Sequence, residues 1–215
     1  MLVKAMMVGE IQANCYIVAC DAKDASEATE LKEGLIIDPG DDADVILEMV
    51  RKLGVKVKYI ILTHGHLDHI AAVEKVRQAT AAKVLVHRLD ADCLIDPSKN
   101  LSALFGQPVY GAAADERLED GQEIIVGTLT LRVLHTPGHT PGGICLSFPH
   151  AVFTGDTLFA GSIGRTDFPG GSLPELIDGI KTKLLTLDPT TKVYPGHGLS
   201  TTIGAEIKGN PFLQG

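Results

Sequence analysis

The chain has no tryptophan, few other aromatic residues and only four cysteines in 215 residues. None of the cysteines belongs to a C-x-x-C pair. Cys15 and Cys20 flank a predicted strand and face opposite ways, so a bridge between them requires the strand to fold back. Cys93 and Cys145 stand alone. These absences argue against a disulfide framework and predict four reduced thiols.

Long apolar runs and an excess of basic residues are also missing. No stretch approaches the ~20 apolar residues of a membrane span, and Glu10 interrupts the N-terminal region before a signal peptide could form. The formal charge is −8 and the pI is near 5.4, whereas nucleic-acid binding needs clustered Lys and Arg. We therefore expect a cytoplasmic protein with neither a nucleic-acid nor a membrane partner. The residues give no indication of the oligomeric state.

Apolar residues make up 45% of the chain, and the 23 glycines and 11 prolines are spread between the apolar segments. No low-complexity linker or charge block divides the sequence, which predicts a single domain over residues 1–215. Short strand-then-loop units recur in both halves, although this repeat is weak. Two facing β-sheets with helices outside, an α+β sandwich, satisfy the pattern.

Apolar runs and alternating patterns predict the β-strands. Val57–Leu62 is apolar almost throughout, as in a strand buried on both faces. Gly127 and Thr128 are typical of a hairpin turn. The predicted strands are Leu2–Val8, Cys15–Ala19, Gly34–Asp38, Val57–Leu62, Lys83–His87, Gln122–Val126, Leu129–Leu134, Ile144–Phe148, Ala151–Thr154 and Lys192–Tyr194.

Three helices are predicted from apolar residues at helical spacing. The first carries its apolar face on Val45, Ile46, Met49, Val50 and Leu53 and ends at Gly54. The second covers about Ile70–Ala79, and the third covers Leu173–Leu187. The stretch from Arg88 to Gln122 is less regular. A short helix and a lid are predicted there from Leu101, Leu104, Phe105 and Tyr110.

Three histidines and an aspartate lie within six consecutive positions directly after the apolar strand Val57–Leu62. The run reads H-x-H-x-D-H and contains His64, His66, Asp68 and His69. In an extended turn, His64 and His66 point the same way, as side chains two apart do. Asp68 and His69 then face a second position a few Å away. The run therefore predicts a two-metal site and metal-assisted hydrolysis.

Three further segments have the same form: a strand stops, a Gly or Pro turn follows, and a metal-ligand type of residue lies in the turn. They contain His139, Asp156 and His197. Glycine beside a ligand allows unusual backbone angles and lets the backbone approach an ion closely. Each of these residues alone is compatible with an ordinary loop position. We assign structural roles to His87, His135 and His150, and Asp38 is either a turn former or a carboxylate that orients a ligand histidine.

In the order and type of these residues, the chain resembles the metallo-β-lactamase-fold hydrolases over nearly its whole length. The resemblance implies the αββα sandwich of that fold, with two facing mixed sheets. It implies that His64, His66 and His139 hold one metal, and that Asp68, His69 and His197 hold the other. Asp156 bridges the two. Two divalent ions are implied as cofactors, with zinc first and iron or manganese as alternatives.

Finer motifs are similar to the short glyoxalase II-like (hydroxyacylglutathione hydrolase-like) proteins. They are Phe153 to Phe159, Gly164 to Gly171, and Tyr194 to Gly198 with Asn210 to Leu213. This resemblance implies that hydroxide held by the metals cleaves a thioester such as S-lactoylglutathione. Asp68 and Asp156 are then catalytic, and Arg165 meets a carboxylate of the substrate. Full glyoxalase II enzymes add a C-terminal helical region that helps to hold glutathione, and we expect this chain to lack those contacts.

Other members of the superfamily supply the alternatives. Persulfide (sulfur) dioxygenases also carry a Gly-Arg-Thr-Asp-Phe run and use one iron, held by the equivalents of His64, His139 and Asp156. A non-catalytic metal-binding or regulatory domain is disfavoured because the ligand set is intact. The β-lactamases generally lack a bridging carboxylate at the position of Asp156, which argues against antibiotic hydrolysis. The nucleases carry extra domains or basic surfaces that this acidic chain does not show.

Overall fold

Two six-stranded mixed β-sheets form the centre of the computed structural model, which describes residues 1–21, 31–106 and 108–214. In the first sheet the strands lie in chain order. Its first three strands pair antiparallel, and β3 to β6 pair parallel. Its strands are β1 (Leu2–Val8), β2 (Ala13–Ala19), β3 (Lys32–Ile37), β4 (Val55–Leu62), β5 (Lys83–His87) and β6 (Glu116–Leu118).

The second sheet has the order β14-β13-β10-β9-β8-β7, and its only parallel pair among the described residues is β10 with β13. A separate hairpin of two short strands, β11 and β12, follows β10. These strands are β7 (Glu123–Val126), β8 (Leu129–His135), β9 (Ile144–Phe148), β10 (Ala151–Gly155), β11 (Leu158–Phe159), β12 (Ser162–Ile163), β13 (Lys192–Pro195) and β14 (Thr201–Thr202).

Helices cover the outer face of each sheet. Within the described residues, short 3₁₀ segments lie at Ala91–Leu94, Ser102–Phe105 and Pro211–Leu213. The helices are α1 (Ala43–Leu53), α2 (Leu67–Ile70), α3 (Val73–Thr80), α4 (Leu173–Gly179), which continues as a π-helical turn over Ile180–Leu184, and α5 (Ile203–Gly209).

Three apolar clusters hold these layers together. The first packs α1 and α3, through Ile46 and Val76, against the first sheet. The second lies between the two sheets, where Leu35 and Ile61 meet residues such as Phe153. The third packs α4 and its π-helical extension against the second sheet. Since each sheet buries both faces, the molecule is the αββα sandwich that the sequence predicts.

The predicted helix over Ile70–Ala79 is wrong in its bounds, because two helices replace it. Helix α2 starts earlier, at Leu67, and α3 starts at Val73. Between them the backbone N–H of Ala72 donates to the carbonyl oxygen of Pro39 at 3.0 Å. This bond to another loop interrupts the i to i−4 ladder of a continuous helix.

The other differences concern local elements. Val45 is 53% exposed, so it does not belong to the buried face of α1. The predicted helix Leu173–Leu187 ends at Leu184, and its last part is π-helical, with the N–H of Leu185 donating to Ile180 O at 2.9 Å. The sequence prediction missed β6, which has only three residues, and α5, whose two glycines weaken a helical pattern.

Candidate metal centre

The seven candidate ligands lie in loops that follow strands of both sheets. His64 and His66 follow β4, and Asp68 and His69 belong to α2. His139 lies in the turn after β8, and the other two ligands follow β10 and β13 directly. Because β10 and β13 are parallel neighbours, their ends bring Asp156 and His197 to the same edge of the sheet.

Ligand atoms of these seven side chains converge on one place between the two sheets. They form overlapping groups within which all ligand atoms lie within 4.8 Å of one another: His64 with His66 and His139, His64 with His69 and Asp156, and Asp68 with His69 and His197. The first and third groups are the two ligand sets that the sequence resemblance implies.

Asp156 connects the two sets. Its Oδ1 lies 3.4 Å from His69 Nε2, and its Oδ2 lies 3.5 Å from His139 Nε2 and 3.6 Å from His197 Nε2. On the other side, Asp68 Oδ2 lies 3.1 Å from His197 Nε2. The carboxylate of Asp156 is therefore between the two sets, where a bridging ligand belongs.

Two buried polar atoms in this cluster have no hydrogen-bond partner, namely His64 Nε2 and Asp156 Oδ1. Buried polar atoms are rarely left unpaired, and each exception needs an explanation. Elsewhere in the cluster, ring nitrogens face ring nitrogens: His66 Nδ1 is 2.9 Å from His139 Nε2, and His69 Nε2 is 3.3 Å from His197 Nε2. Ring nitrogens that face one another beside carboxylate oxygens fit a bound cation, so the donor set matches a divalent metal centre.

Neighbouring groups fix the orientation of three imidazoles. His69 Nδ1 donates to Asp38 Oδ2 at 3.0 Å, and His139 Nδ1 donates to the backbone oxygen of Arg165 at 2.8 Å. His64 Nδ1 lies 3.2 Å from Thr63 Oγ1, whose own hydroxyl donates to Asp38 at 2.5 Å. In each case Nε2 is left to face the cluster. Such partners fix the tautomer of ligand histidines, and Asp38 acts in this way rather than only as a turn former.

The pKa values divide the histidines into two kinds. Burial and the neighbouring His139 lower the pKa of His66 to about 3, and burial also lowers the pKa of His64 well below its usual value. Burial by itself would lower the pKa of His69. The nearby carboxylates of Asp156 and Asp38 have the larger, opposite effect and raise this pKa to about 10. His64 and His66 are thus neutral and ready to bind a cation, whereas binding at His69 displaces a proton.

Comparisons with known proteins agree with this geometry. The model of the metallo-beta-lactamase superfamily matches residues 8–197. The chain belongs to that superfamily. It is 36% identical to hydroxyacylglutathione hydrolase GloC of Haemophilus influenzae, over 99% of this chain and 98% of that protein.

Two solved structures are similar to this chain over nearly their whole length. The crystal structure of BLEG-1 B3 metallo-beta-lactamase has a TM-score of 0.91, with 38% identity and full coverage of both chains. The structure of TTHA1623 in a di-iron-bound form has a TM-score of 0.84 with 35% identity, and it covers 98% of this chain and 100% of that one. The metallo-beta-lactamase fold and a His/Asp cluster suited to divalent metals are therefore established for this chain.

In this superfamily member, the buried carboxylate of Asp90 joins the two loops that carry His64, His66 and His139. Its Oδ2 accepts hydrogen bonds from the N–H of Gly65 at 3.0 Å and from the hydroxyl of Thr140 at 2.7 Å, and its Oδ1 accepts from the N–H of Gly142 at 2.7 Å. Burial raises the pKa of Asp90, although these three donors oppose that effect. Asp90 holds the first ligand set together without touching a ligand atom.

We expect Asp90→Ala to weaken both stability and metal binding. Three buried donors would lose their acceptor, at about 1–3 kcal/mol each, so the free energy of unfolding should fall by roughly 3 kcal/mol or more. Metal affinity should fall by about 10–100-fold, as for other groups that orient ligands. Asp92→Ala is the matched control, because Asp92 makes only an exposed ion pair with Lys99 and its loss should change stability little. Denaturant melts and metal titrations of both variants test this, and equal losses would contradict the role of Asp90.

The loop of His197 is held by the start of β2. Asn14 Nδ2 donates to the carbonyl oxygens of Pro195 and Gly198, both at 3.0 Å, and the hydroxyl of Tyr16 donates to the same Pro195 oxygen at 2.6 Å. Sequence reasoning missed Asn14, as it missed Asp90. A polar residue inside an apolar strand pattern is the only sequence signal that points to it.

The three histidines with predicted structural roles lie outside the cluster. His87 and His135 stack on each other with ring centroids 4.0 Å apart, and burial lowers the pKa of His87 to about 4. His150 lies in the exposed turn between β9 and β10. All four cysteines are free, as the sequence predicts, and all four are buried. No helix among the described residues is both long and apolar enough to cross a membrane.

A cleft of about 450 Å³ is lined by five of the seven candidate ligands. Arg165 lines it, as predicted for a substrate-binding residue, and its guanidinium lies 3.9 Å above the ring of Phe168. Two of its nitrogens, Nε and Nη2, donate to the carboxylate of Asp167 at 2.7 and 2.6 Å. Leu101 and Phe105 also line the cleft, whereas Leu104 and Tyr110 do not and are exposed elsewhere on the surface. Closure of this segment as a lid stays a prediction.

Proposed function

We propose that the protein is a metal-dependent hydrolase that cleaves a thioester, with S-lactoylglutathione or a similar hydroxyacyl thioester as substrate. The convergence of seven histidine and aspartate side chains beside an open cleft carries this proposal. The similarity to GloC supports it, since that relative is a hydroxyacylglutathione hydrolase. We propose two divalent ions as cofactors. Zinc is the first choice, with iron and manganese as alternatives because imidazole and carboxylate ligands suit all three.

When bound, such a pair of ions supplies a nucleophilic water at neutral pH and stabilises the negative charge that develops on oxygen. The protein's own residues position the reaction. Asp38 and the carbonyl of Arg165 keep His69 and His139 in the orientation described above. Asp68 lies at the cleft wall with 20% of its side chain exposed, and we assign to its carboxylate the proton that the attacking water releases.

A thioester suits this site because its leaving group needs little help. A thiol has a pKa of about 8.5, so it can depart as a thiolate without a protonating side chain. Arg165 offers its remaining nitrogen, Nη1, to a substrate carboxylate, while Asp167 holds the other side of the guanidinium. We assign Arg165 to substrate binding on this basis, and Asp68 and Asp156 to catalysis.

Assays of metal-loaded protein test the proposal. We expect thiol release from S-lactoylglutathione, and we expect loss of that activity after treatment with a chelator. The competing activities are oxygen uptake with glutathione persulfide and opening of a chromogenic cephalosporin, the latter because of the similarity to BLEG-1. Oxygen uptake or cephalosporin cleavage without thioester cleavage would refute the thioesterase.

A further inference from the structure

The walls of the cleft beside the metal ligands are mostly apolar. Phe168 and Phe159 stand against the ligand histidines, with ring centroids 5.7 Å from His66 and 6.3 Å from His197. The apolar surface therefore begins at the cluster itself. The other apolar residues that line the cleft are Ile11, Leu67, Leu101, Phe105 and Ile163.

Two of these side chains are exposed to water in the free protein. Ile11 is 51% exposed and Phe105 is 61% exposed, and they come from separate segments of the chain. Covering apolar surface is favourable by about 25 cal/mol per Å². A ligand with an apolar part that reaches these residues gains this contribution, and a short polar ligand does not.

Polar groups on the same walls are few, and two of the three are already engaged. Besides the metal ligands, the polar lining residues are Asn100, Ser162 and Arg165. Asn100 is fully buried, and its amide donates to the carbonyl oxygens of Cys93 and Val109. Arg165 shares its charge with Asp167. Glutathione carries two carboxylates and an ammonium group, and these walls offer one paired guanidinium for all three.

We propose that the cleft selects thioesters whose acyl group is an apolar chain longer than lactoyl, and that it recognises the sulfur-bearing carrier only weakly. This inference rests on the proposed thioesterase function and names its substrate class. The apolar chain lies along Phe168 and Phe105, and most of the carrier remains in water. S-Lactoylglutathione is then cleaved, but it is not the preferred substrate.

Binding of stable thioethers tests the inference without turnover. S-Hexylglutathione, S-methylglutathione and N-acetyl-S-hexylcysteamine are titrated calorimetrically into the metal-loaded protein. Each buried methylene contributes about fourfold in affinity, so we expect the hexyl ligand to bind at least about tenfold more tightly than the methyl ligand. We expect the two hexyl ligands to differ by less than about threefold. Equal affinity for hexyl and methyl, or strong loss on removing the peptide, would overturn the inference.

A matched pair of variants locates the effect. Phe105→Ser removes an exposed ring from the cleft, and Phe212→Ser removes a ring that is 53% exposed in the C-terminal 3₁₀ segment, away from the cleft lining. Both side chains are exposed, so neither change should unfold the protein. We expect only Phe105→Ser to weaken hexyl binding, by several fold, with methyl binding unchanged. An equal effect of the two variants would also overturn the inference.

Kinetics separates this inference from the function on which it rests. We expect kcat/KM for S-hexanoylglutathione to exceed that for S-lactoylglutathione by at least about tenfold. If both are cleaved and lactoyl is preferred, the substrate class is wrong and the thioesterase stands. If neither thioester is cleaved, both the proposed function and the proposed substrate class are refuted, even if the hexyl ligands still bind.

Discussion

Asp156→Ala should remove thioester cleavage and lower the bound metal from two ions per chain to one or none. Asp156 is the one ligand whose carboxylate oxygens lie within 3.6 Å of histidines from both sets. Without it, three imidazoles lose their common partner. A metal ion lowers the pKa of bound water from about 15.7 to about 7, so loss of metal leaves almost no hydroxide at neutral pH. Thiol release should fall below detection, as it should for His66→Ala.

Metal analysis and a thiol-release assay on the same preparation measure both effects. Asp178→Ala is the control, because it makes the same substitution at an exposed position of α4. Circular dichroism should show that both variants fold. Unchanged turnover in Asp156→Ala or His66→Ala, with the control also active, would refute the dinuclear mechanism.

Gly196→Ala should be nearly as damaging, although it removes no functional group. A methyl group at Gly196 would lie 2.2 Å from Asp156 Oδ1 and 2.8 Å from His69 Cε1. The backbone there is fixed on both sides, since the N–H of Gly196 donates to Gly155 O and its carbonyl accepts from Asn14, each at 2.7 Å. Asp156 must therefore move away from the cluster. We expect loss of at least one metal ion and a large fall in kcat.

Gly209→Ala is the matched control for this prediction. Gly209 ends α5, and a methyl group added there meets no atom within 4 Å. Alanine favours a helix over glycine by about 1 kcal/mol, so this variant should keep full activity and melt at the same or a higher temperature. A Gly196→Ala protein that retains two metals and normal turnover would show that the packing around Asp156 is looser than the structure indicates.

The cluster of candidate metal ligands could be predicted from sequence because such a combination of residues is rare. Three histidines and an aspartate in His64 to His69 have few uses other than metal binding, and the order of the later ligands resembles one superfamily. Strands such as Val57–Leu62 could be predicted because a run of apolar residues indicates burial, whichever strands lie next to it. The pairing of the two sheets came from the resemblance, since local patterns do not specify which strands become neighbours.

The side chains that hydrogen-bond the loops carrying the candidate ligands could not be predicted in the same way. Asp90 lies 25 residues from Gly65 and 52 from Gly142 in the sequence, and Asn14 lies 181 from Pro195. In isolation they resemble a solvated loop aspartate and a polar residue in a strand. The split between α2 and α3 depends on a bond to Pro39, which is also a tertiary contact. These features appear only once the chain is folded.

An anomalous difference map from crystals of the zinc- or manganese-loaded protein tests the central claim most directly. We predict two peaks of metal density. One lies among His64, His66 and His139 and the other among Asp68, His69 and His197, with Asp156 in contact with both. A single peak, a pair of peaks elsewhere or no peak at saturating metal would contradict it.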